Sequence, residues 1–511
     1  MAGATRTWIG YIAMCVGMFM AILDIQVVAS SLTTIEFALH IPTDRLSWIQ
    51  TAYLMAEIIA IPLTAVLTRA LSLRWLFAGA TAGFTLASLV CAFSPSADFL
   101  IAVRVVQGFC GGMLIPAVFT SVFTLLPHEN EILGTTIAGV FAMVAPTIGP
   151  GVGGWLTETF SWHWIFLINV VPGLIVSVVV ATCIRAGKPD YRVLRQIDYG
   201  TVVLASVFLA SLELLLKEAP LRHWSGEFVW VLLAICPLAG ALAVYSCLSR
   251  RHPFIDLRRY RNRPFAVGCA LSFVLGVGLY GATYLLAIFL GLVRYHSALE
   301  IGGVMMVMGV AQLLAAPFAA LAEKRIDARI LIAIGYGLFA AGLIANGFEN
   351  IHTDFGGLFW PQVLRGLSVM LCLLPATRLA LDGWPQAQIP DASAQFNLMR
   401  NLGGAIGIAL IDTILDQRTP GHVTALIARL QAGDPRAAKL VGLPVKLFHN
   451  QAMGPVDEAT KQTIAPMIKR AALVQSFNEA WLAIGILFAL ALLALPLLRA
   501  APGQSEIGRR T

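Results

Sequence analysis

Long apolar runs recur along the whole chain of 511 residues, and they constrain its fold more than any other feature. A helix needs about 20 apolar residues to cross about 30 Å of hydrocarbon. Fourteen runs meet this length, at about residues 8–32, 48–68, 74–94, 99–126, 132–157, 163–185, 198–217, 228–249, 264–291, 299–322, 330–348, 358–383, 393–415 and 476–499. Only 12% of the residues are charged, against about 25% in soluble domains. The sequence therefore predicts an all-α polytopic membrane protein, because a β-barrel would show alternating segments of about ten residues.

The basic residues are concentrated on one side of the predicted membrane. If the N-terminus is cytoplasmic, the segments on that side hold nineteen of them: Arg6, Arg69, Arg74, Arg185, Lys188, Arg192, Arg195, Arg250, Arg251, Arg258, Arg259, Arg261, Arg263, Lys324, Arg325, Arg329, Arg499, Arg509 and Arg510. The short loops of the opposite side hold four: Arg45, Lys217, Arg222 and Arg294. By the positive-inside rule, both termini are predicted to be cytoplasmic. This arrangement explains the net charge of +7 without a nucleic-acid partner.

The sequence offers no candidate constellation for catalysis, metal binding or nucleotide binding. The eight cysteines fall within or at the edges of apolar runs, so we expect no disulfides, and no spacing resembles a metal site. The phosphate-binding pattern G-x-x-x-x-G-K-[ST] is absent, and the stretch GVGLYG lies within a span without a flanking strand. We therefore predict that the protein is not an enzyme and has no cofactor and no bound metal.

The apolar run at about residues 132–157 contains the stretch VAPTIGPGVGGWL, which is rich in glycine and proline. Small residues let membrane helices approach closely. Proline is tolerated in a span where neighbours satisfy the freed carbonyl group. We therefore expect a kinked helix with a bare face that presses on another helix, although ordinary small-residue packing is an alternative. The residues expected to form this face are Gly149, Pro150, Gly153 and Gly154.

Several stretches resemble motifs of one transporter family, in the same order along the chain. VAPTIGPGVGGWL resembles the fifth-helix antiporter motif of the major facilitator superfamily, and RVVQGFCGG resembles its fourth-helix motif R-x-x-Q-G. AILDIQVVASSL resembles the first-helix motif, and FNLMRNLGGAIGIAL resembles a thirteenth-helix segment. The chain is thus similar to the 14-helix drug:proton antiporters of the EmrB/QacA type. It departs from the family in the loop between helices 2 and 3, where Thr68 stands in place of an acidic residue.

The resemblance implies the major facilitator fold, with two six-helix bundles and two inserted helices. We predict an N-terminal bundle over residues 1–185, a linker with the two additional helices over 186–263, and a C-terminal bundle over 264–511. The C-terminal bundle includes a long segment, 416–475, that is predicted to be periplasmic. This segment is either a solvated cap over the outer face or a docking surface for a partner.

Asp24 and Arg104 are predicted to meet within the membrane. At a rise of 1.5 Å per residue, Asp24 lies about 24 Å from the inner boundary and Arg104 about 7 Å below the outer one. Their depths therefore coincide in a core of about 30 Å. An ion pair would offset the desolvation of both charges, and a change in protonation of Asp24 would alter the pairing. We predict a proton-coupling role for this pair; a purely structural pair is the alternative.

Other polar residues within the spans are further candidates. Glu57 lies near mid-membrane and is predicted to carry a proton or bind a cation, because a buried carboxyl group favours its neutral form; a neutral acid hydrogen-bonded in the bundle is the alternative. Glu213 and Lys217 are interpreted as a local i,i+4 helix pair. The residues predicted to line the substrate cavity or its gates are Gln26, Gln107, Asn397 and Arg400.

These observations predict proton-coupled efflux of multiple drugs or hydrophobic compounds across the bacterial inner membrane by alternating access. The partners expected are amphipathic substrates, protons and membrane lipid. The resemblance also implies a periplasmic adaptor and an outer-membrane channel. Two alternatives are open: a carrier of the same fold for a specific metabolite, fatty acid or siderophore, and a scaffold component of an envelope complex.

Overall fold

The computed structural model describes residues 2–39, 48–185, 187, 189–195, 198–250, 253, 255–445, 448 and 458–493. These residues form a bundle of helices. The helices are α1 (Ala2–Ser30), α2 (Leu32–Leu39), α3 (Trp48–Ala92), α4 (Ala97–Leu125), α5 (Glu131–Thr159), α6 (Trp164–Leu167), α7 (Val170–Cys183), α8 (Arg192–Arg195), α9 (Tyr199–Leu221), α10 (Glu227–Ser249), α11 (Arg263–Leu292), α12 (Ala298–Glu323), α13 (Ala328–Asn346), α14 (Phe355–Leu381), α15 (Ile389–Gln431), α16 (Pro435–Val441) and α17 (Glu458–Ala491).

Helix α3 has 45 residues, about twice the length of a span, and it folds back on itself at Ser72, whose φ of 69° and ψ of 152° are not helical. Both arms contact the same stretch of α4. A Cβ on Gly108 would lie 2.2 Å from the carbonyl oxygen of Tyr53, and a Cβ on Gly83 would lie 2.8 Å from Sγ of Cys110. Tyr53 and Gly83 therefore lie at similar depth, so α3 is a hairpin of two spans.

The number of spans agrees with the fourteen that the sequence predicts. Twelve helices of the described residues are long and apolar enough to cross a membrane, and the bent pair His128–Pro146 and Gly151–Thr159 makes a thirteenth span. The bend of 50° falls at the glycine- and proline-rich stretch, where a kink was expected. Counting the hairpin α3 as two spans gives the fourteenth.

The first half of the chain packs α1 and α5 side by side in a parallel orientation. The Tyr11 hydroxyl group donates a hydrogen bond to the carbonyl oxygen of Gly134 at 2.6 Å. Fifteen residues further along both helices, about 22 Å at 1.5 Å per residue, Gln26 lies directly against Gly149. The same residue spacing on both helices shows that they rise together from one face of the membrane region.

The second half repeats this arrangement with α11 and α15. A Cβ on Gly403 would lie 2.0 Å from the carbonyl oxygen of Phe273, and four residues further along both helices a Cβ on Gly407 would lie 2.8 Å from that of Val277. Backbones can approach this closely only where a side chain is missing. The fold is therefore two similar helical bundles, α1–α7 and α11–α17, as the major facilitator architecture requires.

The inserted helices α9 and α10 form a hairpin that packs on both bundles. Leu209 of α9 packs against Ile58 of α3 and Leu398 of α15. Lys217 of α9 donates a hydrogen bond to the hydroxyl group of Thr51 on α3. The hairpin thus lies beside the boundary between the two bundles.

We call the face where α1 begins and α17 ends the terminal face, and the opposite face the extension face. Helix α15 has 43 residues and continues beyond a span at the extension face, where α16 and the first turns of α17 follow. Arg418 and His422 of α15 contact Glu479 of α17 at 2.7 and 3.0 Å. These helices form most of the predicted segment 416–475; parts of it between residues 446 and 457 lie outside the described residues.

Candidate transport site

A cavity of about 450 Å³ lies between the two bundles, in the part of the membrane region nearer the extension face. Helices α1, α3 and α4 line it from the first bundle, α11, α12 and α15 from the second, and α9 from the inserted hairpin. Most lining side chains are apolar. The polar ones are Gln26, Gln50, Glu57, Glu213, Tyr280, Thr283, Tyr284 and Asn401. Within the described parts of the chain, no lysine, arginine or histidine lines this cavity.

The two bundles touch between the cavity and the terminal face. Arg69 of α3 forms an ion pair with Asp391 of α15, with 2.5 Å between Nη1 and Oδ2. The hydroxyl group of Ser393 donates a hydrogen bond to the carbonyl oxygen of Pro116 at 3.0 Å. Val140 of α5 packs against residues of α12 and α14. The structure is therefore a conformation that is closed at the terminal face.

Asp24 and Arg104 form the predicted pair inside the first bundle, with side chains fully shielded from solvent. Arg104 Nη1 donates to one carboxylate oxygen of Asp24. The other oxygen accepts hydrogen bonds from Gln107 Nε2 at 3.0 Å and from Asn169 Nδ2 at 2.9 Å. Three helical segments of the bundle thus converge on one carboxylate, which satisfies the charge that burial would otherwise leave isolated.

Arg104 is held by further contacts that fix its position. Its Nε donates to the carbonyl oxygen of Ile49 at 3.2 Å, and its guanidinium group lies 4.2 Å from the ring centroid of Tyr53. Gln107 also donates to the hydroxyl group of Ser88 at 2.8 Å. Protonation of Asp24 would remove the charge partner of a guanidinium group that has no access to water. The cluster can therefore convert proton binding into rearrangement of α1 against α4.

The other predicted proton-coupling, cavity and gating residues lie in three places. Gln26 and Glu57 line the cavity, and none of the described residues donates a hydrogen bond to the Glu57 carboxyl group. Gln107 instead belongs to the buried Asp24 cluster. Asn397 and Arg400 lie just below the cavity, toward the terminal face, in contact with each other at 2.5 Å between Oδ1 and Nη2.

Arg400 lies where the two bundles meet. Its guanidinium group is 5.2 Å from the ring centroid of Phe119 on α4, and its Nε and Nη1 have no hydrogen-bond partner among the described residues. A buried guanidinium group with unused donors is costly. Arg400 therefore has the position expected of a gating residue, since a shift between the bundles would change its surroundings.

Sequence reasoning missed several residues of the site. Asn169, from the start of α7, is the third donor to Asp24 and carries no motif signal. Glu213 lines the cavity, although its spacing to Lys217 was interpreted as a local helix pair. Tyr284 lines the cavity as well, and its hydroxyl group donates to Asp412 Oδ1 at 2.7 Å.

The glycine-rich motif of α5 packs mainly on its own bundle. Gly149 faces Gln26 of α1, and the carbonyl oxygen of Gly153 is 3.4 Å from the Ser31 hydroxyl group. Gly154 is buried, and the Pro150 side chain lies outside what the structure describes. Contact with the opposite bundle comes earlier in α5, at Val140. At Gly149 and Gly153 the absence of side chains lets α1 approach α5 at the level of the cavity.

Substitution of Gly149 by alanine should destabilise the protein. The new Cβ would lie 2.4 Å from Cβ of Gln26, which is not the flexible end of a side chain, and overpacking of this kind costs about 1–3 kcal/mol. Gly151→Ala is the matched control on the same helix, because a Cβ there would meet nothing within 4 Å. Melting temperatures of the two purified variants test this: equal values would contradict the packing described for Gly149.

Two similar bundles around a central cavity, with contact at one face, define a secondary transporter. The family model of the Major Facilitator Superfamily matches residues 14–408, and the chain belongs to this superfamily and, within it, to the drug:proton antiporters. The chain is 38% identical over 424 residues to the colistin resistance protein EmrB of Acinetobacter baumannii, covering 83% of each chain. It is 27% identical to the multidrug export protein EmrB of Escherichia coli, covering 94% of this chain and 93% of that one.

Further similarities extend this picture. The chain is 27% identical to the fatty acid resistance protein FarB of Neisseria gonorrhoeae, covering 95% and 94% of the two chains. Among solved structures, the human organic anion transporter MFSD10 superposes with a TM-score of 0.58 at 12% identity, covering 96% of this chain and 99% of that one. The proton:xylose symporter XylE gives 0.59 at 12% identity, covering 96% and 95%. At these identities the solved structures establish the fold alone.

Proposed function

We propose that this protein exports amphipathic compounds from the cytoplasm across the bacterial inner membrane, driven by the proton gradient and without a cofactor. The observation that carries the proposal is the largely apolar cavity between the bundles, with the buried Asp24–Arg104 pair beside it. The positive-inside bias of the sequence supports a cytoplasmic terminal face, with both termini there. The described conformation then corresponds to the outward-facing state.

In this proposal, transport couples two carboxyl sites to the movement of the bundles. A proton enters from the periplasm and binds at Asp24 or Glu57, and the cargo leaves. The bundles then rock, the proton is released into the cytoplasm, and the empty cavity accepts a new cargo molecule there. The contact that opens in this step includes Arg69, Asp391 and Arg400.

The cavity favours cationic amphipathic compounds over anionic ones. The carboxyl groups of Glu57 and Glu213 both line it. A cation could lie beside either carboxylate, whereas an anion would meet no basic lining side chain among the described residues. This argues against a free fatty acid as the main cargo, despite the resemblance to a fatty acid resistance protein. Cationic amphipathic compounds include the class of antibiotic that appears in the name of the Acinetobacter relative.

Glu213→Gln should weaken the binding of ethidium, a fluorescent amphipathic cation, about tenfold, since loss of one charged contact costs about 1.5 kcal/mol. The measurement is ethidium fluorescence on titration of the purified protein. Glu227→Gln is the matched control, because Glu227 is an exposed acid on the adjacent inserted helix. Equal affinity for ethidium in the Glu213→Gln variant and the wild type would exclude Glu213 from the cargo site.

The helical extension at the extension face supports a role in a larger export assembly. With the termini in the cytoplasm, α16 and the ends of α15 and α17 project into the periplasm. We propose that a periplasmic adaptor docks there and leads to an outer-membrane channel. A variant lacking the extension that still transports in vesicles, but gives no drug resistance in whole cells, would support this.

A strain lacking the protein tests the proposed function directly. Growth of this strain is measured in ethidium, colistin and oleic acid. The strain should be more sensitive than the parent strain to ethidium and colistin, but not to oleic acid. Purified protein in liposomes should move ethidium only when a pH gradient is imposed. Ethidium movement that does not depend on the gradient would contradict proton coupling, and unchanged growth in all three compounds would contradict drug export.

A further inference from the structure

A second buried cluster of a carboxyl group and an arginine lies in the second bundle and has no part in the mechanism above. Glu349, in the loop after α13, is 7% exposed, and Arg365 of α14 is 1% exposed. The indole of Trp481 on α17 connects them. Its Nε1 donates to Glu349 Oε2 at 3.3 Å, and its ring centroid lies 5.0 Å from the Arg365 guanidinium carbon.

This cluster occupies the place in the second bundle that corresponds to the Arg104 site in the first. The sequence RVVQG of α4 has a counterpart in QVLRG of α14, with arginine and glutamine exchanged. In both, the arginine and the glutamine bond to each other, and the glycine that follows presses on a neighbouring helix. A Cβ on Gly108 would lie 2.2 Å from the Tyr53 carbonyl oxygen, and a Cβ on Gly366 would lie 2.4 Å from that of Met308. The two half-sites are therefore related by the internal repeat.

The Glu349 carboxyl group is not needed to anchor its loop. The backbone of Glu349 already makes two hydrogen bonds with Asn478 of α17, at 3.0 Å from its N–H group and 2.9 Å to its carbonyl oxygen. Its Oε1 has no hydrogen-bond partner among the described residues, nor does Nε of Arg365. Buried polar groups without partners are costly. The hydrogen bonds to Asn478 already hold the loop in place, so the buried Glu349 carboxyl group and Arg365 guanidinium group are not required for that. We take this to indicate that the two groups have another role.

The cluster also connects to the cargo cavity. A void of about 10 Å³, room for about one water molecule, is lined by Arg365, Gln362, Thr283 and Met305. Thr283 and Met305 line the cargo cavity too. A change in the protonation of Glu349 that moved Arg365 would therefore also change the lining of the cargo cavity.

We propose that Glu349 is a further proton-binding carboxyl group of the transport cycle, linked to Arg365 through the Trp481 indole, whereas Asp24 contacts Arg104 directly. This inference rests on the proposed function. A proton from the extension face would bind Glu349 when cargo leaves, and the same proton would be released when cargo binds again. Burial raises the pKa of Glu349 to about 8, so that proton binding and release fall near physiological pH.

Other charged groups near Glu349 are already engaged. Arg294 pairs with Asp354, which His296 also contacts at 3.5 Å. Arg470 donates to the carbonyl oxygen of Ile351, and Glu479 pairs with Arg418 and His422. Arg365 is therefore the charged group to which protonation of Glu349 is most directly linked.

Proton release on ethidium binding tests this proposal in detergent-solubilised, full-length protein in weakly buffered solution near pH 7. A pH-sensitive dye should report fewer protons released per protein from the Glu349→Gln variant than from the wild type. The protons that the Glu349→Gln variant still releases should be those that the Asp24→Asn variant fails to release. Glu158→Gln, an exposed acid at the end of α5 on the same face, is the control and should match the wild type. An unchanged release in Glu349→Gln would overturn the proposal. Absence of release in the wild type itself would instead contradict proton coupling.

Chemical labelling of the wild type keeps the proposal testable if Glu349→Gln fails to fold. Dicyclohexylcarbodiimide modifies protonated carboxyl groups in apolar surroundings, and peptide mass spectrometry locates the adduct. Glu349 should be modified near neutral pH, less so as the pH rises above its pKa of about 8, and ethidium should change the extent of modification. Modification that neither pH nor ethidium changes, or none at all, would overturn the proposal.

Discussion

Asp24→Asn should abolish pH-driven efflux of ethidium from liposomes. The amide can still accept a hydrogen bond, but it cannot take up and release a proton. It also leaves the Arg104 guanidinium group, which is fully shielded, without a counter-charge. Removing one partner of a buried ion pair costs about 3–5 kcal/mol, so a lower melting temperature is expected together with the loss of efflux. Efflux at the wild-type rate would remove Asp24 from the mechanism.

A second variant separates the loss of proton binding from the loss of stability. Asp24→Asn combined with Arg104→Gln neutralises both partners and leaves no isolated charge. If the pair is purely structural, this double variant should regain both melting temperature and efflux. If Asp24 binds the proton, the double variant should regain stability and remain unable to couple ethidium movement to the pH gradient. Ethidium binding to the purified variant confirms that the cargo cavity is intact.

The length and spacing of apolar runs predict an all-helical membrane protein with a number of spans that is consistent with the structure. The pairing of Asp24 with Arg104 could also be predicted, because their distances from the span ends place both at one depth and burial requires each to have a partner. Asn169 could not be predicted by this reasoning. It reaches Asp24 because α7 packs against α1, and packing between helices distant in the chain leaves no mark in local spacing.

Glu213 shows what a local pattern leaves out. Its separation from Lys217 fits a local i,i+4 helix pair, and the position of the inserted hairpin also places Glu213 along the cavity and Lys217 against Thr51. Glu349 gave no signal because it lies outside the apolar runs. Only the fold shows that this loop residue turns inward beneath Trp481. Sequence therefore predicts which spans exist and which charges they bury, whereas helix packing decides which side chains share a site.

The ion pair between Arg69 and Asp391 replaces a feature that the sequence lacks. The family pattern has an acidic residue where Thr68 stands, and the Thr68 hydroxyl group donates to its own helix at Thr64, 2.7 Å away. The neighbouring Arg69 is instead the residue of the first bundle that forms the ion pair with the second bundle, and it is a base. The acid, Asp391, lies in the first turn of α15, where the helix dipole favours a negative charge, and it also pairs with Arg259 at 3.0 Å. The charge at this contact on the first bundle is thus basic, at the residue that follows the position of the family's acid.

Reversing one of these charges should open the terminal face. Arg69→Glu places two carboxylates at the contact, and a repulsion of about 1.4 kcal/mol would already change the ratio of closed to open molecules tenfold. Hydrogen exchange measured by mass spectrometry should increase at the ends of α4 and α15 near this face. Asp391→Arg should have the same effect, since it would stand beside Arg69 and Arg259.

The doubly reversed variant, Arg69→Glu with Asp391→Arg, separates a specific contact from a general loss of charge. It restores opposite charges across the boundary, so exchange at both helix ends should return toward that of the wild type. Lys324→Glu, an exposed charge on the same face, should leave exchange unchanged. If the effects of the two single reversals simply add in the double variant, the residues do not interact. The closed terminal face would then depend on the apolar contact of Val140 and the Ser393 hydrogen bond, which these substitutions leave in place.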